Sequence, residues 1–224
     1  MKKVGVLLII LILGIALATF ITSKAINKKT LPILNPCNVN PTLVDSAIQA
    51  KCIGHKIGPF SFVNQHGKIV DQGFIKNKIA VVDFFFVSCP SICPIMTSQL
   101  KRIHDYDFGA LNNQVVLLSH TVWPEADSVP VLNQYASQYG ANADRWSFLT
   151  GDKKALYTMA RKSYLIVPDV NDPKFKHGSD ADFIHTENVV LIDRKGQIRG
   201  FYDGTSPAEI SELVTDIAFL LSAK

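Results

Sequence analysis

A mostly apolar run at residues 79–87 leads, after one serine, into the sequence Cys89-Pro-Ser-Ile-Cys93-Pro94. A run of β-branched and aromatic residues of this length predicts a strand that is buried on both faces. Pro94 suits the first turn of a helix, where its missing N–H leaves no hydrogen bond unmade. The sequence therefore predicts that two cysteines lie where a central strand gives way to a helix.

Cysteines at such a junction suit redox or metal chemistry. A helix N-terminus stabilises a thiolate and lowers the pKa of a cysteine placed there. Two thiols one helical turn apart either close a disulfide or hold a soft metal ion. A structural disulfide usually ties distant segments together, and a bridge between such close neighbours closes almost no loop. The spacing therefore favours a reactive or metal-binding pair over a structural bridge.

The charge of the chain argues against nucleic acid as a partner. Of the 23 Lys and Arg residues in the 224-residue chain, five lie in residues 1–29, which contain no acidic residue. The remaining 18 basic residues face 19 acidic ones, without a basic run of the kind that binds nucleic acid. The length and a hydrophobic content of 47% allow one domain plus a tail.

Residues 4–23 are uncharged and mostly aliphatic, and the run has about the length that a membrane-spanning helix needs. The tripeptide Ala16–Ala18 also resembles a signal-peptidase site. Because Phe20 and Ile21 continue the apolar run beyond it, we predict an uncleaved anchor in residues 1–29. Exported proteins handle their cysteines by pairing or metal binding, so we predict that the rest of the chain lies on the extracytoplasmic, periplasmic side.

Residues 30–54 are predicted to be a tether, because they contain three prolines and several asparagines. Cys37 and Cys52 lie in this segment. In an exported protein they either form a bridge that closes a modest loop or stay free.

Residues 55–224 are predicted to form one domain. The pattern is a hairpin, then strand-helix-strand-helix, then a second hairpin and a helix. This order predicts an α/β sheet with a parallel part and an antiparallel end, which matches the thioredoxin-like fold with an N-terminal β-hairpin extension and an insert around 122–150. The predicted elements are two short strands within 60–70, a strand at 79–87, a helix from near Cys93, a strand at 115–119, helices at 129–139 and 152–163 on either side of the apolar piece 146–149, strands at 188–192 and 197–202, and a helix at 207–222.

Asp83 is the one charged residue in the apolar run that precedes the cysteines. A carboxyl group in a buried strand should have a raised pKa. Thioredoxin-like reductases resemble this arrangement, with a buried aspartate six residues before the first cysteine that accepts the proton of the second. The alternative is an aspartate at the sheet edge that binds backbone amides.

Three segments together resemble the SCO/SenC family of membrane-anchored, thioredoxin-fold copper chaperones. Residues 86–94 are similar to the family's Cys-Pro-x-x-Cys-Pro signature, and the segment 146–151 resembles its tryptophan-to-glycine segment. Residues 185–196 are similar to the segment that holds the family's distal histidine, here His185, with the same spacing to the hairpin glycine. The resemblance covers most of the chain from about residue 55.

The resemblance implies a copper site, Cu(I) or Cu(II), formed by Cys89, Cys93 and His185, and a respiratory cytochrome c oxidase copper site as the recipient. The donor types agree, because thiolates are soft and favour Cu(I), while imidazole suits either oxidation state. In a thioredoxin fold the loop before the antiparallel strand passes over the cysteine turn, and His185 lies in that loop.

A membrane-anchored thiol–disulfide oxidoreductase is the alternative function. Cys89 would then be the attacking thiolate, Cys93 the resolving thiol and Asp83 the proton relay, with thiol–disulfide partner proteins as substrates. Asp83 favours this alternative, since many copper-delivering relatives lack it.

Two further residues near the cysteines have simpler interpretations. His120 ends a strand at the same sheet edge and is interpreted as a turn residue or as an outer partner of the site rather than a ligand. Met96 lies one turn after Cys93, but it matches the apolar face that Leu100 and Ile103 continue, so it is predicted to fill the core.

The anchor prediction is tested by the intact mass of the chain after membrane fractionation. We expect the full-length chain in the membrane fraction, because residues 4–23 are long enough to span. A soluble product that begins near Thr19 would show instead that cleavage follows Ala18.

Overall fold

The computed structural model describes residues 14–15, 30–44, 46–166 and 186–223. The chain divides into two compact units, Met1–Leu31 and Pro32–Lys224. Among the residues described, no helix is both long and apolar enough to cross a membrane. Nearly all of the predicted span at 4–23 lies outside the described residues, and so does His185.

The strands described in the second unit form one seven-stranded sheet. They are β1 Ser61–Asn64, β2 Ile69–Asp71, β3 Ile79–Phe85, β4 Val115–Thr121, β5 Trp146–Thr150, β6 Asn188–Ile192 and β7 Ile198–Asp203. Their order across the sheet is β2-β1-β5-β4-β3-β6-β7. The helices are α1 Gln72–Ile75, α2 Ile92–Asp105, α3 Val129–Gln138, α4 Lys153–Thr158 and α5 Pro207–Ser222, and a π-helical turn, Met159–Ser163, continues α4.

Strand β3 lies inside the sheet and is buried along its whole length. It pairs in parallel with β4, from Ile79 opposite Val115 to Phe85 opposite Thr121, and antiparallel with β6. A strand with a neighbour on each side and cover on each face must be apolar, which explains the run in the sequence. The parallel pair β3–β4 beside the antiparallel pair β6–β7 confirms the predicted thioredoxin-like arrangement.

The predicted insert contributes one strand to this sheet and one helix beside it. Helix α3 confirms the helix predicted at 129–139. The apolar piece 146–149, which the sequence pattern alone left unassigned, belongs to β5 and pairs in parallel with β4. Every residue of β5 is buried, so its backbone groups need partners, and β4 and the N-terminal hairpin supply them.

The N-terminal β-hairpin extension is also confirmed. Strands β1 and β2 pair antiparallel, with Phe62 opposite Val70. The Asn64 side chain accepts hydrogen bonds from the N–H groups of His66 and Lys68, both at 3.0 Å, and so holds the turn. Strand β1 then pairs with β5 and covers the edge that the insert would otherwise leave open.

Part of the segment predicted as a tether contacts the domain. Leu34 forms an isolated antiparallel bridge with Ile198 of β7. The Nε of Arg199 donates a hydrogen bond to the carbonyl oxygen of Pro32 at 2.8 Å. The segment around residues 32–34 therefore contacts the domain beside β7.

Cys37 and Cys52 form a disulfide, which decides between the two alternatives that the sequence leaves open. The N–H of Cys37 donates to the carbonyl oxygen of Lys51 at 3.2 Å. The Asn35 side chain accepts the N–H of His55 at 3.0 Å, so the two ends of this loop are also joined outside the disulfide.

Candidate functional site

The two remaining cysteines lie in the turn that joins β3 to α2. The N–H of Cys89 donates to the carbonyl oxygen of Phe86 at 3.2 Å, which closes the turn after the strand. Helix α2 begins at Ile92, so Cys93 lies in its first turn, as predicted. Both thiols are free, and Cys89 and Cys93 are only 8% and 4% exposed. The structure therefore brings two reduced sulfurs together at a helix N-terminus.

The two thiols differ in acidity. Burial alone would raise the pKa of Cys89, but hydrogen bonds from the Ser91 amide, the Cys93 thiol and amide, and the Ser91 hydroxyl together hold it below its ordinary value. Burial, together with the neighbouring Cys89 sulfur, raises the pKa of Cys93 to about 12. Cys89 is therefore the thiolate-forming member of the pair, and Cys93 keeps its proton.

Beyond the cysteine turn, one face of helix α2 is buried in the core. Met96, Leu100 and Ile103 are completely or almost completely buried, which confirms Met96 as a core residue. Its methyl group also approaches Gly204 so closely that a Cβ at that glycine would lie only 3.0 Å away.

Asp83 is buried beneath the cysteines, as the sequence predicts. The Ser119 hydroxyl donates to Asp83 Oδ1 at 2.5 Å, and the indole Nε1 of Trp146 donates to the same hydroxyl at 2.9 Å. Its other carboxyl oxygen, Oδ2, is buried and has no hydrogen-bond partner in the described part of the chain. Burial raises the pKa of Asp83 to about 7, although the bond from Ser119 opposes the shift. This carboxyl group can therefore gain or lose a proton near neutral pH.

His120 is not a turn residue, contrary to the prediction. It lies within β4, is completely buried, and stacks on the ring of Phe84 with centroids 5.0 Å apart. Burial lowers its pKa to about 3, so the imidazole is neutral. Its Nε2 is 3.3 Å from the hydroxyl of Tyr164. The aromatic rings around it explain why this histidine belongs to the core.

His185 lies outside the described residues, but the residues that follow it are described. Thr186 is buried, and its hydroxyl accepts the N–H of Asn188 at 3.1 Å where β6 begins. Strand β6 runs antiparallel to β3, with Val82 opposite Val190, so the start of β6 lies toward the end of β3 that leads to the cysteines.

Contacts of Gly204, the residue after β7, join Glu187 to helix α2. The carbonyl oxygen of Glu187 accepts the N–H of Gly204 at 2.7 Å. A Cβ at Gly204 would lie 3.0 Å from that carbonyl oxygen and 3.0 Å from Met96 Cε, one turn beyond Cys93. The chain just after His185 is therefore close to the helix that carries Cys93.

The structure also reveals residues near the cysteine turn that the sequence analysis missed. Asp127 binds the backbone of Val87, and Tyr135 binds Thr97 in the first turns of α2. Asp127 had a recognisable signal, since it follows a predicted parallel strand whose end shares a sheet edge with the cysteines. Tyr135 had none, because an aromatic residue in an amphipathic helix usually fills the core.

The raised pKa of Asp83 predicts an unusual dependence of stability on pH. The pKa rises from an ordinary value of 3.8 to about 7 in the folded chain. The folded state therefore holds this proton more tightly than the unfolded state, and the free energy of unfolding falls as pH rises from about 4 to beyond 7. The loss amounts to about 4 kcal/mol at most. Denaturant titrations between pH 5 and 8 should show a smaller fall for Asp83→Asn than for the parent.

Ser119→Ala is the control for this experiment. It removes the hydrogen bond that lowers the pKa of Asp83, so the fall in stability should begin at the same pH and extend to higher pH than in the parent. Equal slopes for the parent and Asp83→Asn would contradict a titrating Asp83.

Comparison with known proteins agrees with this geometry. The SCO1/SenC family model matches residues 50–222. The SCO1 protein homolog of Bacillus subtilis is 30% identical over 166 residues, which are 74% of this chain and 82% of that protein.

Solved structures give the same result. BsSco, a member of the Sco family of cytochrome c oxidase assembly proteins in which a disulfide switch was identified, is 28% identical. It has a TM-score of 0.61 over 77% of this chain and 96% of its own. Copper-bound ScoI of Bradyrhizobium japonicum is 23% identical, with a TM-score of 0.54 over 75% of this chain and 99% of its own, and so shows the shared fold. The family model covers most of the chain and includes the cysteine turn, so this chain belongs to the SCO1/SenC family.

Proposed function

We propose that this chain binds copper through Cys89, Cys93 and His185 and passes it to the copper site of a respiratory cytochrome c oxidase. The observation that carries the proposal is the pair of free, buried thiols at the start of α2. Thiolate sulfur is a soft donor that selects Cu(I) over hard cations. Copper is the cargo in this proposal, and no turnover of a small substrate is required.

The acidities of the thiols suit reversible metal loading. A metal ion binds the thiolate form, so binding releases protons. The pKa of Cys89 is below its ordinary value, so this sulfur is the first to bind. Cys93, with a pKa of about 12, loses its proton to a base only when its sulfur binds a metal or forms a bond to another sulfur.

His185 is the proposed third ligand. Its support is the resemblance of residues 185–196 to the family's histidine segment, together with the position of Thr186 and Glu187 near helix α2. Within the described residues, no three His, Cys, Asp or Glu side chains form a metal-binding group. A ligand from the neighbouring loop would complete the set.

Related proteins support both copper as the bound metal and cytochrome c oxidase as the recipient. The Bradyrhizobium japonicum relative holds copper, and BsSco belongs to cytochrome c oxidase assembly proteins. We extend both properties to this chain as part of the proposal.

We also propose that the domain works on the extracytoplasmic side of a membrane, held by residues 4–23. The disulfide between Cys37 and Cys52 supports an oxidising compartment, where such bonds persist. The sequence of residues 4–23 supports the anchor.

Asp83 favours thiol–disulfide exchange as a second function. The Cys89 thiolate would attack one sulfur of a partner's disulfide and release the other as a thiolate, forming a mixed disulfide. Cys93 would then lose its proton to the carboxylate of Asp83 and attack Cys89, which releases the partner's second sulfur and leaves Cys89 and Cys93 oxidised. The buried carboxyl group with a pKa of about 7 is the observation that supports this route.

The copper proposal predicts a selective effect of His185→Ala. Two thiolates alone satisfy Cu(I), which accepts two soft ligands, whereas Cu(II) needs the nitrogen donor. We expect Cu(II) binding to weaken by roughly tenfold or more, since even indirect partners of ligands contribute that much, while Cu(I) binding changes little. Competition titrations and absorption spectra of the anaerobically purified, reduced chain measure both.

The matched control is His66→Ala, because His66 lies in the β1–β2 turn and contacts Asn133 instead of the cysteines. It should bind copper like the parent. A His185→Ala variant with the parent's copper spectrum and affinity would exclude His185 as a ligand, and a parent that binds no copper would exclude the proposed function.

The exchange proposal predicts that Asp83→Asn slows disulfide exchange without changing copper affinity. Cys93 then lacks its proton acceptor, so the step in which it attacks Cys89 slows. Stopped-flow measurements at several pH values test this, with Asp216→Asn as a second buried acid that bonds Tyr202 instead. Rates equal to the parent's across the pH range would leave Asp83 with a packing role only.

A further inference from the structure

We propose that the insert holds the cysteine turn in its metal-binding shape, with Asp127 and Tyr135 as positioning residues. The inference rests on the proposed copper function, because it concerns the geometry of that site. The insert follows β4 and contains α3 and β5, and it contacts the chain on both sides of the two cysteines.

The first contact lies before Cys89. The N–H of Val87 donates to both carboxyl oxygens of Asp127, at 3.3 and 3.4 Å. The Thr121 hydroxyl donates to Asp127 Oδ2, and the same hydroxyl accepts the N–H of Trp123 at 2.9 Å. Asp127 is only 1% exposed. A buried carboxylate thus holds a backbone amide two residues from a proposed ligand.

This contact replaces hydrogen bonds that the sheet does not supply. The pairing of β3 with β4 ends where the N–H of Val122 donates to the carbonyl oxygen of Phe85 at 2.8 Å. The next carbonyl, on Phe86, accepts the N–H of Cys89 within the turn. Val87 lies beyond the paired residues of β3 and β4, and its partly buried amide needs an acceptor. The Asp127 carboxylate is that acceptor, so it fixes the path by which the chain leaves β3.

The second contact lies at Cys93. The Thr97 hydroxyl donates to the carbonyl oxygen of Cys93 at 2.8 Å and is 2.9 Å from the Tyr135 hydroxyl. The Tyr135 ring stacks on Phe85 of β3, with centroids 5.4 Å apart. One side chain of α3 therefore bridges the end of β3 and the first turn of α2.

The two contacts fix different halves of the same turn. Asp127 holds the backbone that precedes Cys89, while Tyr135, through Thr97, holds the helix start that carries Cys93. The distance between the two sulfurs depends on both halves. Neither residue is proposed as a copper ligand, since their polar atoms are occupied by the protein contacts above.

The test compares Asp127→Ala, Asp127→Asn and Tyr135→Phe in the full-length chain. Asp127→Ala removes the acceptor of Val87, and we expect Cu(II) affinity to fall by about 10- to 100-fold with an altered absorption and EPR spectrum. Asp127→Asn keeps one acceptor oxygen, so it should recover part of the affinity and the parent's spectrum. Tyr135→Phe removes the hydroxyl contact with Thr97 but keeps the stacked ring, and it should also alter the spectrum.

Asp216→Asn is the matched control, because Asp216 is a buried aspartate that accepts a hydrogen bond from Tyr202 at 2.6 Å, between β7 and α5. Each variant's Tm is measured beside its copper binding. The proposal is overturned if Asp127→Ala keeps the parent's copper affinity and spectrum, or if Asp216→Asn changes both equally at the same loss of Tm. If Asp127→Ala does not fold, the test rests on Asp127→Asn and Tyr135→Phe, and parental copper affinity and spectra in both would overturn the proposal.

A second readout separates this inference from the copper proposal. If the parent binds no copper, the copper function fails, but the geometry of the turn still sets the equilibrium between the dithiol and the disulfide of Cys89 and Cys93. We then expect Asp127→Ala to change that equilibrium constant at least tenfold, about 30 mV in reduction potential. An unchanged potential would overturn the positioning role.

Discussion

The pairing of β3 with a strand on each side is the interaction on which the site depends. Strands β4 and β6 pair with its backbone on either side, and β3 is buried along its whole length, so its position is tightly constrained. Rigid elements position functional groups more precisely than loops do. The cysteine turn starts at Phe86, one residue beyond Phe85, whose carbonyl oxygen is the last of β3 to pair with the chain after β4. The position of the cysteine turn is thus set by a strand that carries only one polar side chain, Asp83.

Parallel pairing then decides which other groups meet the cysteines. The carboxyl ends of β3 and β4 lie at one edge of the sheet, and the antiparallel β6 begins toward the same edge. The turn after β4 therefore brings Asp127 to Val87, and the start of β6 brings Glu187 beside Met96 and Gly204. Ligands of α/β sheets commonly bind at this edge for the same reason. Three separate stretches of sequence converge there although they are far apart along the chain.

The sequence predicted what depends on local pattern. The buried strand, the helix start at Pro94, both hairpins and the burial of Asp83 follow from periodicity, turn residues and composition. It misassigned His120 because its position near a strand end suggested a turn, whereas aromatic neighbours from β1, β3 and the chain after α4 bury it. It left β5 unassigned because a five-residue piece with three apolar side chains fits a strand or a linker equally well. Tyr135 acts through tertiary contacts that no spacing in the sequence records, whereas Asp127 was marked only by its position after a parallel strand.

Charge balance connects the two proposed activities of the site. Burial and the neighbouring Cys89 sulfur, with a smaller effect of the Asp83 charge, raise the pKa of Cys93, so without a metal Cys93 favours its protonated form. Two thiolates with an ionised Asp83 would place three negative charges in a largely buried region, which is costly unless a cation is present. In the absence of copper, the proton that Asp83 can accept at neutral pH is the one that Cys93 must lose in order to attack a disulfide. The buried carboxyl group of Asp83 therefore favours thiol exchange in the empty site, whereas the proposed copper binding depends on the two sulfurs and His185.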